Sequence, residues 1–225
     1  MKQYIQQSKV RNKKEGQMKL YAGRLHLQES AIIRLKVIDA YSIHRIILDL
    51  ILPQRDVDKV RKGNTSSGVQ WVDQGEHLFG RRIDFISNIS PSKVGDCGDF
   101  TIECRELPDD FLNHKVYRFQ TVVNPVRFSN GKREPIKYES DIAQWFSEKM
   151  KRSGADVNNI IVDKICTEKF YKSEGDKTRR IVFRKARVSG FLTVIDHELF
   201  KNMIINGFGK GRAFGYGFVQ LAIAK

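Results

Sequence analysis

Gly207-Phe208-Gly209-Lys210-Gly211-Arg212-Ala213-Phe214-Gly215-Tyr216-Gly217 stands near the C-terminus, and its reading decides the fold. Glycine admits backbone angles closed to other residues and lets a ligand approach the main chain. Lys210 and Arg212 add positive charge to the bend, and successive N–H groups there can form an anion-binding nest. Phe208, Phe214 and Tyr216 either stack on bases or pack beneath the loop. A phosphate backbone is the natural ligand. The spacing is not a Walker loop, because Lys210 is followed by Gly211 rather than Ser or Thr. It is not a dinucleotide fingerprint either, which opens a helix after a first strand. Here a helix from about Asp196 to Asn206 leads in, and an alternating strand, Tyr216 to Ala224, leads out.

Working back from that loop, the second half reads β-α-β-β-α-β. Lys115 to Val123 alternates as a strand that Pro125 ends, and Lys132 and Arg133 follow in a loop. Ser140 is placed to cap a helix running to about Arg152, with Ile142, Trp145, Phe146 and Met150 as its apolar stripe and Gly154 beyond its end. Asn159 to Ile165 is a strand, and Phe170 to Val194 a hairpin turning at Ser173 to Asp176. This is the ferredoxin-like order that RRM domains share. The hairpin is dense in cations: Lys172, Lys177, Arg179, Arg180, Arg184, Lys185 and Arg187. Such a ribbon suits an RNA stem, or an edge strand kept soluble by charge. RRM signatures are absent.

The first half reads β-α-β-β with its last elements open. Lys19 to Gln28 is a strand with Tyr21, Gly23, Leu25 and Leu27 on one face. Asp39 caps a helix from Ala40 to Leu52 whose stripe is Ile43, Ile46, Ile47, Leu50 and Ile51. Tyr41 and His44 lie about 60° apart on its flank and Arg45 borders them. A phenol, an imidazole and a guanidinium together suit proton transfer beside a phosphate. Gln54 to Gly75 is expected as a long mobile loop. His77 to Asn88 and Asp99 to Glu106 read as strands.

The chain has 225 residues, 40% of them apolar, and 40 Lys plus Arg against 26 acids give a net charge of +14. That excess is the footprint of a polyanion partner. No apolar run is long enough to span a membrane. The start lacks an apolar h-region, so secretion is not expected. Cys97, Cys104 and Cys166 lack Cys-x-x-Cys spacing and read as reduced thiols of a cytoplasmic protein. No metal-ligand cluster is evident, so no metal or cofactor is expected. His26, His77, His114 and His197 are scattered. His26 is the one to follow, on a strand that can border the same cleft.

The order of these motifs resembles the CasE (Cse-type) repeat-processing endoribonucleases of type I-E CRISPR systems, in the RAMP superfamily. Four stretches carry the resemblance: Leu20 to Leu27 with Asp39 to Arg45; Val123-Asn124-Pro125-Val126 with Gly131-Lys132-Arg133; Gly190 to Asp196; and Gly207 to Gly217, which fits the superfamily's Gly-h-Gly-x5-Gly-h-Gly pattern. The resemblance implies an α+β fold of two tandem ferredoxin-like (RRM-like) βαββαβ domains with a C-terminal glycine-rich loop. Residues 1–17 would be a basic flexible extension, 18–106 the first domain, 107–114 a linker and 115–225 the second domain.

The family's catalytic pair falls on Tyr41 and His44, and its RNA-binding loop on Gly207, Gly209, Lys210, Gly211, Arg212, Gly215 and Gly217. The implied activity is metal-independent cleavage of precursor CRISPR RNA at the 3′ base of a repeat hairpin. The 2′-OH would attack, leaving a 2′,3′-cyclic phosphate or 3′-phosphate and a 5′-OH. His44 would be acid or base, Tyr41 would hold the 2′-OH or a phosphate oxygen, and Arg45 would neutralise charge. The implied partners are the repeat hairpin and the other Cascade subunits, with no membrane, and a monomer outside that complex. The alternative is a noncatalytic RAMP-type subunit that binds guide RNA.

Overall fold

The computed structural model describes residues 19–52, 67–78, 80–92, 94–129, 131–174 and 177–224. The basic extension expected over 1–17 lies outside them. The first half contains β1 (Tyr21–Gln28), α1 (Glu29–Arg34), α2 (Ala40–Ile51), β2 (Val69–His77), β3 (Gly80–Ser87), β4 (Gly95–Asp96) and β5 (Phe100–Glu106). The second contains β6 (Val116–Val123), β7 (Val126–Ser129), β8 (Lys132–Pro135), α3 (Glu139–Arg152), β9 (Ala155–Glu174), β10 (Lys177–Val194), α4 (His197–Asn206) and β11 (Gln220–Ile223).

The two large sheets share one plan. The first is ordered β2-β3-β1-β5-β4 and the second β11-β6-β10-β9. Apart from the short β4, each places its first and third strands centrally, which is the ferredoxin-like order. The fold is α+β with two such units. In the first unit a bend and β4 stand between β3 and β5, where the second helix of the motif would lie. All strand pairs are antiparallel.

Helix α2 forms where its sequence marks it. The Asp39 side chain accepts from the Ser42 N–H at 2.8 Å, and the Ser42 hydroxyl accepts from the Asp39 N–H at 2.9 Å. This reciprocal cap stabilises the helix start by about 1 kcal/mol. Ile43, Ile46, Ile47 and Ile51 are buried against Leu25, Leu27, Ile83, Phe85 and Ile102 of the sheet. Leu50 is only half-buried at the margin.

The two cores interlock. Phe170 of β9 is buried in the first core, with Ile181 and Phe183 of β10 packed against it. Val72 of β2 and Ile86 of β3 belong to the second core. The alternation of side chains on β2 and β3 explains this: one face of the first sheet meets α2 and the other meets the second half.

Several expectations change. Most of the expected loop from Gln54 to Gly75 falls in 53–66, outside the described residues, but Val69–His77 is strand β2, a hairpin partner of β3. The strand expected over His77 to Asn88 begins at Gly80, because the β2–β3 turn occupies its start. The second-half strand and hairpin are a single ribbon, β9 with β10, paired from Val194↔Ala155 to Lys177↔Glu174. Two bulges hid the continuity: β9 has one extra residue opposite Lys185/Arg187 and another opposite Ser189/Phe191. Lys164 and Asn159 take up the extra length at φ 49° each. Ser140 is not the cap of α3; the helix starts at Glu139 after Tyr138, which makes no side-chain cap bond, and Glu139 and Asp141 face the helix dipole instead. Lys132 and Arg133 lie in strand β8, not in a loop.

Among the described residues no helix is long and apolar enough to cross a membrane.

Candidate active site

The glycine stretch folds into a closed loop. All five of its glycines have positive φ, between 74° and 88°. The Phe208 N–H donates to the Gly217 carbonyl at 2.8 Å, and the Gly217 N–H donates to the Val122 carbonyl at 2.7 Å. A Cβ on Gly217 would stand 1.8 Å from the Phe208 carbonyl oxygen, and one on Gly215 would stand 2.6 Å from the Trp71 ring. Those two glycines are demanded by packing. Gly209 is different: a Cβ there meets nothing within 4 Å, so its backbone is open to approach.

The loop's aromatics pack beneath it. Phe208 is buried between Trp145 and Phe146, at ring separations of 6.0 and 4.9 Å. Tyr216 is buried and its hydroxyl donates to the Glu168 carboxylate. Burial, then that carboxylate, pushes the phenol's pKa far up. Phe214 is the joint of the site. Its ring lies 4.8 Å from Phe170, 5.5 Å from Phe183 and 6.3 Å from His44.

A cleft of about 1170 Å³ opens beside this joint. His44 from α2, Arg133 from β8, Lys137, Arg184 from β10, and Gly209, Lys210, Gly211 and Arg212 from the loop all line it. Arg184 is held without a carboxylate: its guanidinium donates to Thr167 Oγ1 at 3.4 Å and to the Lys137 carbonyl at 3.3 Å. Its backbone N–H donates to Oδ1 of buried Asn124 at 3.2 Å. Arg212 donates to the Asn206 carbonyl at the end of α4. Gln70 crosses from β2 to donate to the Ile204 and Ile205 carbonyls at 2.5 and 2.9 Å. Among the described residues none of Arg133, Lys137, Arg184, Lys210 and Arg212 forms a carboxylate ion pair. The cleft is therefore a concentration of positive charge aimed at an anion.

The structure brings His44 and the glycine loop together. Tyr41 and Arg45 do not line this cleft; Tyr41 packs against the first core and Arg45 stands 6.0 Å from its ring. On the ribbon, Arg179 and Arg180 are exposed. Lys185 faces Glu168 at 3.7 Å and Arg187 faces Asp163 at 3.9 Å. Lys172 and Lys177 lie outside the described side chains. His26 does not border the cleft. Sequence reasoning missed Lys137, Gln70 and Thr167, and quoted Arg133 and Asn124 without assigning them to the site. No local pattern marks them; β-strand topology collects them. Among the described residues no group of three or more His, Cys, Asp or Glu could hold a metal ion.

The fold and the cleft define a tandem ferredoxin-like protein with a basic groove closed by a glycine loop. The chain belongs to the family of CRISPR associated proteins, whose pattern matches residues 20–222. Its fold is similar to that of the CRISPR endoribonuclease Cse3 bound to a 19-nucleotide RNA, with a TM-score of 0.74 at 17% identity, covering 91% of this chain and 99% of that one. It is also similar to Cas6e from Escherichia coli K-12, with a TM-score of 0.64 at 16% identity, covering 91% and 100%. A chain of a CRISPR RNA-guided surveillance complex matches at a TM-score of 0.64 and 14% identity, covering 91% and 100%. No curated protein sequence matches.

Proposed function

We propose that this protein is a metal-independent endoribonuclease that cuts precursor CRISPR RNA within the repeat, at the 3′ base of a hairpin, and stays with the guide in a Cascade-type complex. One observation carries the reading: an imidazole, a glycine loop with open backbone and several cations that make no carboxylate ion pair among the described residues converge on one cleft. The names of the structurally similar proteins support it, being endoribonucleases bound to RNA and part of a surveillance complex.

RNA carries its own nucleophile. The 2′-oxygen bonds to the adjacent phosphorus as the bond from phosphorus to the 5′-oxygen breaks. One proton leaves the 2′-OH and one arrives on the departing 5′-oxygen. The products are a 2′,3′-cyclic phosphate and a 5′-OH. His44 moves one of those protons, a task for which imidazole is suited near neutral pH. Arg184, Arg133 and Lys210 stabilise the charge that gathers on the phosphorane oxygens. The Gly209 and Gly211 backbone lies close to the sugar–phosphate chain. Tyr41 and Arg45, on the adjoining flank of α2, meet RNA that continues past His44. The ribbon's exposed Arg179 and Arg180 grip the stem.

His44→Ala tests the reading. Cleavage of a cognate repeat by the variant should fall at least about a hundredfold, within the range of general acid–base contributions, while RNA affinity stays within a few-fold. Unchanged cleavage would remove His44 from the mechanism. Binding by the wild type without cleavage of any repeat would favour the noncatalytic guide-binding reading.

A further inference from the structure

The glycine loop has a second, reverse side. A cavity of about 290 Å³ lies there, between the last turn of α3 and α4. Lys149, Arg152, Ser153, Asn202, Gly207 and Gly209 are among its lining residues. Gly209 borders both this cavity and the His44 cleft, so the loop is the partition between them.

Lys149 is the unusual member. Its Nζ stands 5.4 Å from the Trp145 ring and 5.5 Å from the Phe208 ring. It is half-buried, and burial followed by the charges of Lys210 and Arg152 lowers its pKa. Among the described residues Lys149, Arg152 and Lys210 make no carboxylate ion pair. A basic last turn complements the dipole of α3, and that accounts for exposed Lys151 and Arg152. It does not account for a half-buried ammonium held over the Trp145 and Phe208 rings at the wall of this cavity. Lys149 and Arg152 are like charges on one cavity wall, and an anion seated between them removes their repulsion.

We propose that this reverse pocket binds a backbone phosphate of the same RNA strand that occupies the His44 cleft, the strand crossing the loop at Gly209. Lys149 and Arg152 supply the charge, and the Gly209 main chain, open on its Cβ side, lets the backbone pass at close range. The proposal rests on the RNA-binding reading above.

Salt titration of RNA binding separates the two. Each phosphate neutralised contributes about 0.7 to 0.9 to the slope of log K against log salt. Lys149→Met keeps an apolar stem against Trp145 and Phe208 and removes the charge. It should weaken binding of a repeat hairpin several-fold at physiological salt and lower the slope by about 0.7, with Lys149→Arg retaining both. Arg152→Ala, at an exposed position that tolerates truncation, should shift affinity and slope in the same direction. Wild-type binding and slope retained in both Lys149→Met and Arg152→Ala would overturn this proposal while leaving the RNA reading intact. A wild type that binds none of a panel of repeat RNAs would overturn both. Loss of inorganic phosphate binding in the variants, with RNA binding unchanged, would assign the pocket to a free anion and also overturn it.

Discussion

The His44 ring lies 6.3 Å from the ring of Phe214, at an interplanar angle of 50°. That relationship joins helix α2 of one ferredoxin-like unit to the glycine loop of the other. Phe214 in turn packs on Phe170 and Phe183 of the ribbon. Helix α2, the β9–β10 ribbon and the glycine loop are thus joined through one phenyl ring.

Phe214→Ala should therefore damage both stability and activity. Phe214 is half-buried, so the expected loss is about 2–3 kcal/mol, below the range for fully buried Phe. Urea unfolding measures it. RNA cleavage should fall by about ten- to a hundredfold, as expected when a reacting group is displaced by about an ångström. Phe214→Leu should recover much of the stability.

The glycines of the loop should separate by role. Gly217→Ala places its methyl 1.8 Å from a carbonyl oxygen and should unfold the loop or the protein. Gly209→Ala meets open space, so only its φ of 74° opposes it, at about 1 kcal/mol. Its main effect should be weaker RNA binding. Equal thermal stability of the two variants would contradict the assignment.

Tyr216 should make stability depend on pH in the alkaline range. Its folded pKa is raised by burial and by Glu168. A raised pKa contributes stability that is fully present below the unfolded phenol value near 10. As pH climbs beyond that value, the unfolded chain ionises first and the contribution is lost. Wild type should exceed Tyr216→Phe by about 1–2 kcal/mol at pH 8, and the gap should narrow above about pH 10. A gap that widens there would reverse the sign and refute the account.

Arg184 is anchored by neutral acceptors and keeps its charge for the cleft. Arg184→Ala should weaken RNA binding and lower the salt slope by about 0.7 to 0.9. Lys185→Ala should have less effect on the slope, because Lys185 already faces Glu168. Fluorescence anisotropy across a salt series distinguishes them.

What the sequence made legible was local. Asp39, the apolar stripe of α2 and the flank carrying His44 are set by neighbours within a few residues, and the structure follows them. The glycine loop was legible because five positive φ angles in one short stretch strongly favour glycine. Strand β2 was not, because Val69-Gln70-Trp71-Val72 is a short apolar run after a polar segment, and pairing with β3 is what makes it a strand. The helical wheel placed Tyr41 beside His44 but could not say which edge of that flank meets the cleft; only His44 does. Arg133, Lys137 and Thr167 converge with His44 through sheet topology, which leaves no periodic trace.

The most direct test replaces the nucleotide on the 5′ side of the scissile phosphate by its 2′-deoxy form in a labelled repeat hairpin. With excess EDTA present, wild-type protein should cut the all-RNA hairpin once, leaving a 2′,3′-cyclic phosphate and a 5′-OH, and should bind the deoxy hairpin without cutting it. Cleavage of the deoxy substrate, or cleavage that stops on chelation, would contradict strand scission by the 2′-OH beside His44.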